Sequence, residues 1–186
     1  MHPVGVVSIQ GDFEQHVRAF RAVGVEAVEV RTPEQLAHVE RAVIPGGEST
    51  TVGLLMQRYG MGEALRKAAE EGMPIWGTCM GMILLASEVE GREQWTLRLL
   101  DIGVRRNAFG AQVHSFEDEV PVVGLEQPVM GVFIRAPIVT RVGEGVEPIA
   151  RYADQIVGVR KGNLIGTSFH PELTEDGRLH TWFAGL

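Results

Sequence analysis

The sequence contains a single cysteine and no long run of apolar residues among its 186 positions. One cysteine cannot form an internal disulfide or a thiolate zinc site, so Cys79 is either a small buried side chain or a reactive group. No stretch reaches the ~18 apolar residues of a membrane helix, and no basic segment precedes the short apolar run near the amino terminus. We therefore expect a cytoplasmic protein without a membrane partner.

Basic residues are also fewer than acidic residues. The chain has 17 basic and 24 acidic residues, which gives a net charge of -7. This charge repels phosphate backbones and therefore argues against nucleic acid as a partner. The hydrophobic content of 45% suits one well-buried core at this length, so we expect one domain over residues 1–186.

Strand and helix patterns alternate in the first half of the chain. Short apolar runs at 4–9, 25–30, 42–44 and 75–77 are separated by helical patterns at 13–24, after Thr32, up to Tyr59 and at 62–71. Either Ser49 or Thr50 is the expected N-cap of the helix that ends near Tyr59. This alternation predicts a three-layer α/β fold, in which helices flank a mostly parallel central sheet.

The second half of the chain is richer in strands. Strand-like runs occur at 102–105, 112–120, 129–134, 156–160 and 164–169. Lys161-Gly162-Asn163 predicts a hairpin turn between the last two runs. A final helix is expected from about Asp176.

Cys79 stands where the strand at 75–77 gives way to a new helix. The segment Gly77-Thr78-Cys79-Met80-Gly81 has the spacing of a nucleophile elbow, in which small flanking residues allow a sharp turn. The positive end of the following helix favours a thiolate, and the Met80 amide would face a tetrahedral oxyanion. The alternative is a packed core thiol whose neighbouring glycines merely end a strand.

His170-Pro171-Glu172 offers a base and its orienting group. A reactive thiol needs a histidine to carry protons, and that histidine needs an acceptor on its other nitrogen. Pro171 biases His170 away from helical conformation, and residues two apart in an extended chain project to the same side. The Glu172 carboxylate could therefore orient the imidazole.

A second His-x-acid pattern, His38-Val39-Glu40, shows that the motif alone is weak. The 6 histidines and 24 acids predict roughly 0.8 such pairs by chance. His38 lies in a polar stretch that is typical of a solvated surface, whereas His170 follows an apolar strand, where catalytic side chains are common. The other four histidines are interpreted as surface or structural imidazoles: His2, His16, His114 and His180.

The glycine-rich segment Pro45-Gly46-Gly47-Glu48 follows a buried strand and precedes a helix. It lacks the lysine and the spacing of a phosphate-binding Walker motif, and Glu48 would repel a phosphate. The Gly47 amide could instead form half of an oxyanion hole, opposite the Met80 amide. A simple tight turn before a capped helix is the alternative.

Taken in order, the glycine loop, the cysteine elbow and the late His-x-Glu resemble the class I glutamine amidotransferases. Six segments that together span nearly the whole chain carry a more specific resemblance: Gly5 to Gly11, Pro45 to Thr51, Gly77 to Cys79, Arg106 to Gly110, Gly131 to Pro137 and Ser168 to Thr174. Together they resemble the glutaminase subunits of pyridoxal 5'-phosphate synthase.

The resemblance implies a single glutamine amidotransferase domain that hydrolyses L-glutamine to L-glutamate and ammonia. The ammonia would pass to a separate synthase subunit that assembles the vitamin B6 cofactor, and no metal or cofactor is expected in this chain. The implied catalytic triad is Cys79, His170 and Glu172. The implied glutamine-binding residues are Gly47, Glu48, Ser49, Arg106, Ile134 and Arg135.

The chemistry of arginine supports a binding role for Arg106 and Arg135, because a guanidinium suits the free carboxylate of an amino acid. The alternative for each arginine is a surface ion pair. Met80 stands where the family is expected to have a small residue. We expect little harm, since its proposed contribution is a backbone amide, although the larger side chain would narrow the pocket.

Two other functions stay open at this point. A cysteine-elbow hydrolase of the same fold would cleave esters or peptides and ignore glutamine. A redox sensor would use oxidation of Cys79, with a purely structural glycine loop.

Overall fold

The computed structural model describes residues 3–109 and 115–186. The described strands are β1 (Val4–Val7), β2 (Ala27–Val30), β3 (Arg41–Ile44), β4 (Ile75–Thr78), β5 (Ala86–Val89), β6 (Leu100–Arg105), β7 (Ser115–Val120), β8 (Val129–Ile134), β9 (Ile138–Val142), β10 (Glu147–Tyr152), β11 (Gln155–Lys161) and β12 (Leu164–Thr167). The α-helices are α1 (Phe13–Ala22), α2 (Pro33–Leu36), α3 (Ser49–Arg58), α4 (Met61–Glu70), α5 (Met80–Leu85) and α6 (Arg178–Ala184). A short 3-10 helix spans Pro171–Leu173.

One ten-stranded sheet forms the centre of the molecule. Its strand order is β2-β1-β3-β4-β12-β11-β9-β6-β5, with β10 paired to β11, while β7 and β8 form a separate antiparallel pair. The run from β2 to β12 is parallel throughout, whereas β12, β11, β9 and β6 pair antiparallel. The predicted parallel first half and strand-rich second half are therefore confirmed.

Alternating side chains place two apolar clusters on opposite faces of this sheet. In β3, Ala42 and Ile44 belong to one cluster and Val43 to the other, because successive strand residues point to opposite faces. The first cluster packs against α3, α4 and α5, and the second packs against α1 and α6. This arrangement gives the three layers that the sequence predicts.

Several elements differ from the sequence-based expectations. Strands β5, β9 and β10 were not predicted. β10 contains Pro148, which is tolerated near the sheet edge: β10 pairs with β11, and on its other side one isolated bridge joins Ala150 to Val122. The last helix begins at Arg178 rather than at about Asp176. The run expected at 112–120 is a strand from Ser115, and its first residues lie outside the described ranges.

The turn at Gly162 is confirmed. Lys161 pairs with Leu164 across an antiparallel ladder, which leaves Gly162 and Asn163 as a two-residue turn, and Gly162 has φ 58°. No helix within the described part of the chain is long and apolar enough to cross a membrane. The cytoplasmic location stays a prediction.

Candidate active site

Cys79 occupies a strained turn between β4 and α5. Its φ is 52°, a region that non-glycine residues seldom adopt and that costs of order 1–3 kcal/mol. The turn is held in part by a hydrogen bond of 2.7 Å from the Cys79 amide to the Thr167 carbonyl. The thiol is 9% exposed and faces a cavity, so this turn presents it at the carboxyl edge of the sheet.

The two glycines that flank the cysteine are required by close backbone approach. A Cβ on Gly77 would lie 2.4 Å from the carbonyl oxygen of Gly81, and a Cβ on Gly81 would lie 1.9 Å from the carbonyl oxygen of Ile44. Both separations are shorter than real Cβ contacts. The glycines therefore do more than end a strand, because they permit the elbow to form.

His170 is brought beside Cys79 by the parallel pairing of β12 with β4. Thr167 lies opposite Thr78 in this ladder, so the two chains leave neighbouring strands at the same edge. The Cys79 and His170 side chains both line the same cavity. Residues 79 and 170, far apart in sequence, thus form one pair.

Glu172 orients the other side of the imidazole. His170 Nδ1–H donates to Glu172 Oε1 at 2.6 Å, and both side chains are buried. The expected contact is present, but the expected extended geometry is wrong, because Pro171–Leu173 forms one turn of 3-10 helix that brings the carboxylate under the ring. His170 itself is non-helical, as Pro171 predicts.

The surroundings favour a protonated imidazole. Burial lowers the pKa of His170, but hydrogen bonds and charges from Cys79 and Glu172 outweigh burial and raise it to about 11. Burial raises the pKa of Glu172, opposed by its hydrogen bond with His170. The pair consequently holds one proton tightly between Nδ1 and Oε1.

Two histidines behind Glu172 were not predicted as part of the site. His16 and His180 are fully buried, so of the two interpretations, surface or structural, the structural one fits both. Their ring nitrogens approach to 3.0 Å, and His16 Nε2 also lies 3.5 Å from Glu172 Oε2. No periodic signal marks this contact, since it joins positions from opposite ends of the chain.

The N-cap of helix α3, which follows the glycine-rich loop, is not the residue that the sequence predicts. Neither Ser49 nor Thr50 caps α3; the Glu48 side chain does so by accepting hydrogen bonds from the amides of Thr50 at 3.2 Å and Thr51 at 2.7 Å. Hydrogen bonds from Thr51, aided by Thr50 and the charge of Arg106, lower the pKa of Glu48 to about 2. Glu48 is therefore negatively charged at neutral pH, and its carboxylate forms part of the cavity wall.

A cavity of about 290 Å³ collects nearly all of the predicted site residues. Its lining includes Gly47, Glu48, Ser49, Cys79, Met80, Arg106, Ile134, Arg135 and His170. Glu172 does not line it and lies behind the imidazole. The Met80 side chain is 2% exposed and belongs to the core cluster, which explains how a large residue fits after the cysteine.

Three further residues line the cavity but were missed as site residues: Asp12, Ile83 and Asn107. Asp12 Oδ2 lies 3.7 Å from His170 Nδ1. The sequence could have indicated Asp12, because it follows the first predicted strand. In a parallel sheet that strand ends at the same edge as β3 and β4, where the other site residues lie. Asp12, His170 and Glu172 each offer a ligand atom within 4.8 Å of the others, so these three could hold a cation, although Nδ1 and Oε1 are already bonded to each other.

Contacts among the polar residues order the cavity wall. Arg106 Nη2 lies 3.7 Å from Glu48 Oε1, and Gln94 links Arg106 with Ser49 through bonds of 3.4 and 3.2 Å. A thiol, an imidazole, two guanidinium groups and two carboxylates thus share one small volume. This set suits attack on an acyl carbon in a molecule that carries both an ammonium and a carboxylate.

Comparisons with known proteins point the same way. The model of the SNO glutamine amidotransferase family matches residues 6–185. A protein named pyridoxal 5'-phosphate synthase subunit PdxT from Herpetosiphon aurantiacus is 54% identical over 98% of this chain and 99% of its own length. Its namesake from Thermus thermophilus is 52% identical over 98% of this chain and 96% of its own length.

Solved structures are similar as well. A crystal structure of a glutamine amidotransferase superposes with a TM-score of 0.93 at 50% identity, covering 98% of this chain and 99% of that one. The structure of PurLQS from Thermotoga maritima matches with a TM-score of 0.72 at 20% identity, covering 100% of this chain and 99% of that one, and supports the fold alone.

Proposed function

The chain belongs to the SNO glutamine amidotransferase family, and from this membership and the site geometry we propose that Cys79, His170 and Glu172 are its catalytic triad. The protein is a glutaminase that supplies ammonia for pyridoxal 5'-phosphate synthesis, as its relatives named PdxT indicate. The single observation that carries the triad is the buried His170–Glu172 hydrogen bond of 2.6 Å next to the Cys79 elbow.

The proposed reaction has two steps. The Cys79 sulfur attacks the side-chain amide carbon of glutamine, and the C–N bond breaks as the His170 imidazolium gives its proton to the departing ammonia. A water molecule then attacks the thioester and gives one proton to His170, the C–S bond breaks, and glutamate leaves with its carboxyl proton released to water. This restores the Cys79 thiolate and the His170 imidazolium. The amides of Gly47 and Met80 are proposed to stabilise the oxyanion in both steps.

The proposed glutamine contacts follow from charge. Arg106 and Arg135 suit the α-carboxylate, because a guanidinium donates two parallel hydrogen bonds to such a group. Glu48 stays ionised with its pKa near 2, so it suits the α-ammonium. We assign Gly47, Ser49 and Ile134 to the same binding surface, which they share in the cavity wall.

The triad is tested with three variants assayed for ammonia release from glutamine. We expect Cys79→Ala and His170→Ala each to abolish turnover. The first removes the sulfur that forms the thioester, and the second removes the imidazole that transfers protons. His38→Ala is the matched control: it removes the histidine of the other His-x-acid pair, which is exposed, and should retain full activity. Turnover by Cys79→Ala, or cleavage of esters with no action on glutamine, would contradict the proposal.

We also propose that the functional unit is a complex of this chain, as one glutamine amidotransferase domain, with a synthase subunit. Relatives matched over nearly their full length are named as subunits of pyridoxal 5'-phosphate synthase. Ammonia that escapes into water is lost to synthesis, so we expect glutaminase activity to rise when the synthase subunit is added. Equal activity with and without that subunit would argue against the coupling.

A further inference from the structure

A group of buried polar side chains lies behind Glu172, on the side away from the cavity. We call His16, Thr78 and His180 the buried histidine cluster. His16 Nε2 lies 3.0 Å from Thr78 Oγ1 and 3.5 Å from Glu172 Oε2, while His16 Nδ1 lies 3.0 Å from His180 Nε2. His16 is therefore the imidazole that faces the second oxygen of the carboxylate.

Aromatic rings fix the two imidazoles in place. The ring of His16 meets Trp76 edge-on at a centroid distance of 5.7 Å, and the ring of His180 meets Phe20 edge-on at 4.7 Å. All four side chains are buried within the sheet face covered by α1 and α6. Such packing leaves the rings little freedom to rotate away from their polar contacts.

The contacts select one tautomer for His16. If His16 carried its proton on Nδ1 and donated to His180, its bare Nε2 would face the Glu172 carboxylate, and the other nitrogen of His180 would be a buried N–H donor. That nitrogen, Nδ1, has no hydrogen-bond partner among the described residues. Buried N–H groups without a partner are rarer than buried acceptors without one, so the proton lies on His16 Nε2 and His180 donates to Nδ1.

We propose that His16 is a positioning residue of the triad: its Nε2–H edge faces the Oε2 side of Glu172 so that Oε1 stays directed at His170. The Nε2–H donates to Thr78 Oγ1 at 3.0 Å, which fixes the ring with Nε2 3.5 Å from Glu172 Oε2. Glu172 Oε2 has no hydrogen bond among the described residues, so this electrostatic contact with His16 is the restraint proposed for it. The inference rests on the proposed glutaminase function, since it assigns a role within that triad.

The charge state of the cluster is consistent with this role. Burial, then the charges of His180 and His170, keep the pKa of His16 well below its ordinary value, so the ring is neutral and carries one proton. Burial lowers the pKa of His180 to about 4, against a smaller opposing effect of Asp176. The ionisable groups around His16 are thus His180, His170 and Glu172, while Asp12 Oδ2 lies 3.7 Å from His170 Nδ1.

Two substitutions at His16 distinguish the loss of the Nε2–H donor from the loss of the imidazole ring as a packed group. The amide nitrogen of His16→Gln can reach the place of Nε2 and donate, whereas that of His16→Asn reaches only the place of Nδ1. In the complex with the synthase subunit, we expect His16→Asn to lower kcat for glutamine by about 10- to 100-fold with little change in KM. His16→Gln should stay within about threefold of the parent kcat.

The pH profile supplies a second readout. A poorly oriented Glu172 supports the His170 imidazolium less, so the alkaline limb of kcat/KM should move to lower pH in His16→Asn and remain in place in His16→Gln. Leu36→Ala is the packing control, because Leu36 is buried in the apolar cluster on the opposite face of the sheet from His16 and His180. It should lower the melting temperature and leave both kcat and the pH profile unchanged.

The inference is overturned if both His16 variants keep the parental kcat and pH profile. It is also overturned if both lose activity equally and only in step with their melting temperatures, as a purely structural histidine would require. Cys79→Ala, measured in the same series, keeps the two proposals apart: its turnover decides the triad nucleophile, whereas the Gln and Asn pair decides His16.

Discussion

Gly46→Ala is expected to disable the site by moving the imidazole rather than by removing any catalytic group. Gly46 is buried beside the triad, and a Cβ there would lie 2.6 Å from His170 Cε1 and 3.0 Å from Asp12 Oδ2. Gly46 is not among the residues with positive φ, so alanine is acceptable to the backbone itself. The effect of the substitution should therefore come from its contacts with the His170 ring, which is the closer, and with the Asp12 carboxylate.

The size of the effect follows from the distances. Ordinary contacts of a Cβ begin at 3.4 Å, so the ring must retreat by about 0.8 Å from its position at 2.6 Å. A displacement near 1 Å can cost about 100-fold in rate, which corresponds to about 2.7 kcal/mol of transition-state stabilisation. Crowding of a packed site adds a stability loss of about 1–3 kcal/mol, measurable separately by thermal unfolding.

The assay compares Gly46→Ala with a glycine substitution that has room for a methyl group. A Cβ on Gly185 would meet its nearest neighbour, the Trp182 carbonyl oxygen, at 3.5 Å, so Gly185→Ala should behave as the parent. We expect Gly46→Ala to be folded, to release ammonia about 100-fold more slowly and to react more slowly with iodoacetamide at Cys79. Parental kcat in folded Gly46→Ala would refute the reasoning that the ring position is set by this contact.

Two further predictions follow from the carboxylates of the site. Glu172→Gln removes a group that raises the pKa of His170 to about 11, so the alkaline limb of kcat/KM should move to lower pH; an unchanged limb would show that Glu172 does not support the imidazolium. Glu48→Gln weakens the cap of α3 and should lower the free energy of unfolding by about 1 kcal/mol at neutral pH, a cap-sized effect because Glu48 is half exposed. Since folding lowers its pKa from 4.5 to about 2, this stabilisation is present above pH 4.5 and is lost as the pH falls toward 2, so urea unfolding of the two proteins should converge over that range.

Local chemistry made the elbow and the base predictable from sequence. Gly77 and Gly81 mark the turn because no other residue fits beside the backbone there, and Pro171 keeps His170 out of a helix for the same kind of local reason. Each signal sits within a few residues of the group that it places. The alternating pattern of strands and helices then implies that these groups share one edge of a sheet.

Other parts of the site depend on contacts that sequence patterns do not reveal. The His16–His180 pair joins helices α1 and α6, which are distant in sequence and adjacent only after folding. Glu48 caps α3 although Ser49 and Thr50 have the more typical cap side chains, because the position of the helix start decides which residue is the N-cap. Strand β10 was obscured by Pro148, which is acceptable only at its place in the sheet.

The position of β12 in the sheet has a consequence for the order in which the protein folds during synthesis. This strand follows the other eleven described strands in the sequence, yet it lies between β4 and β11 in the interior of the sheet. A nascent chain that has emerged only through α5 already carries Cys79, the proposed nucleophile, but has neither His170 nor the strand β12 that precedes it. The thiol therefore meets its proposed base only when β12 is paired with β4, so the proposed active site is assembled by closure of the centre of the sheet.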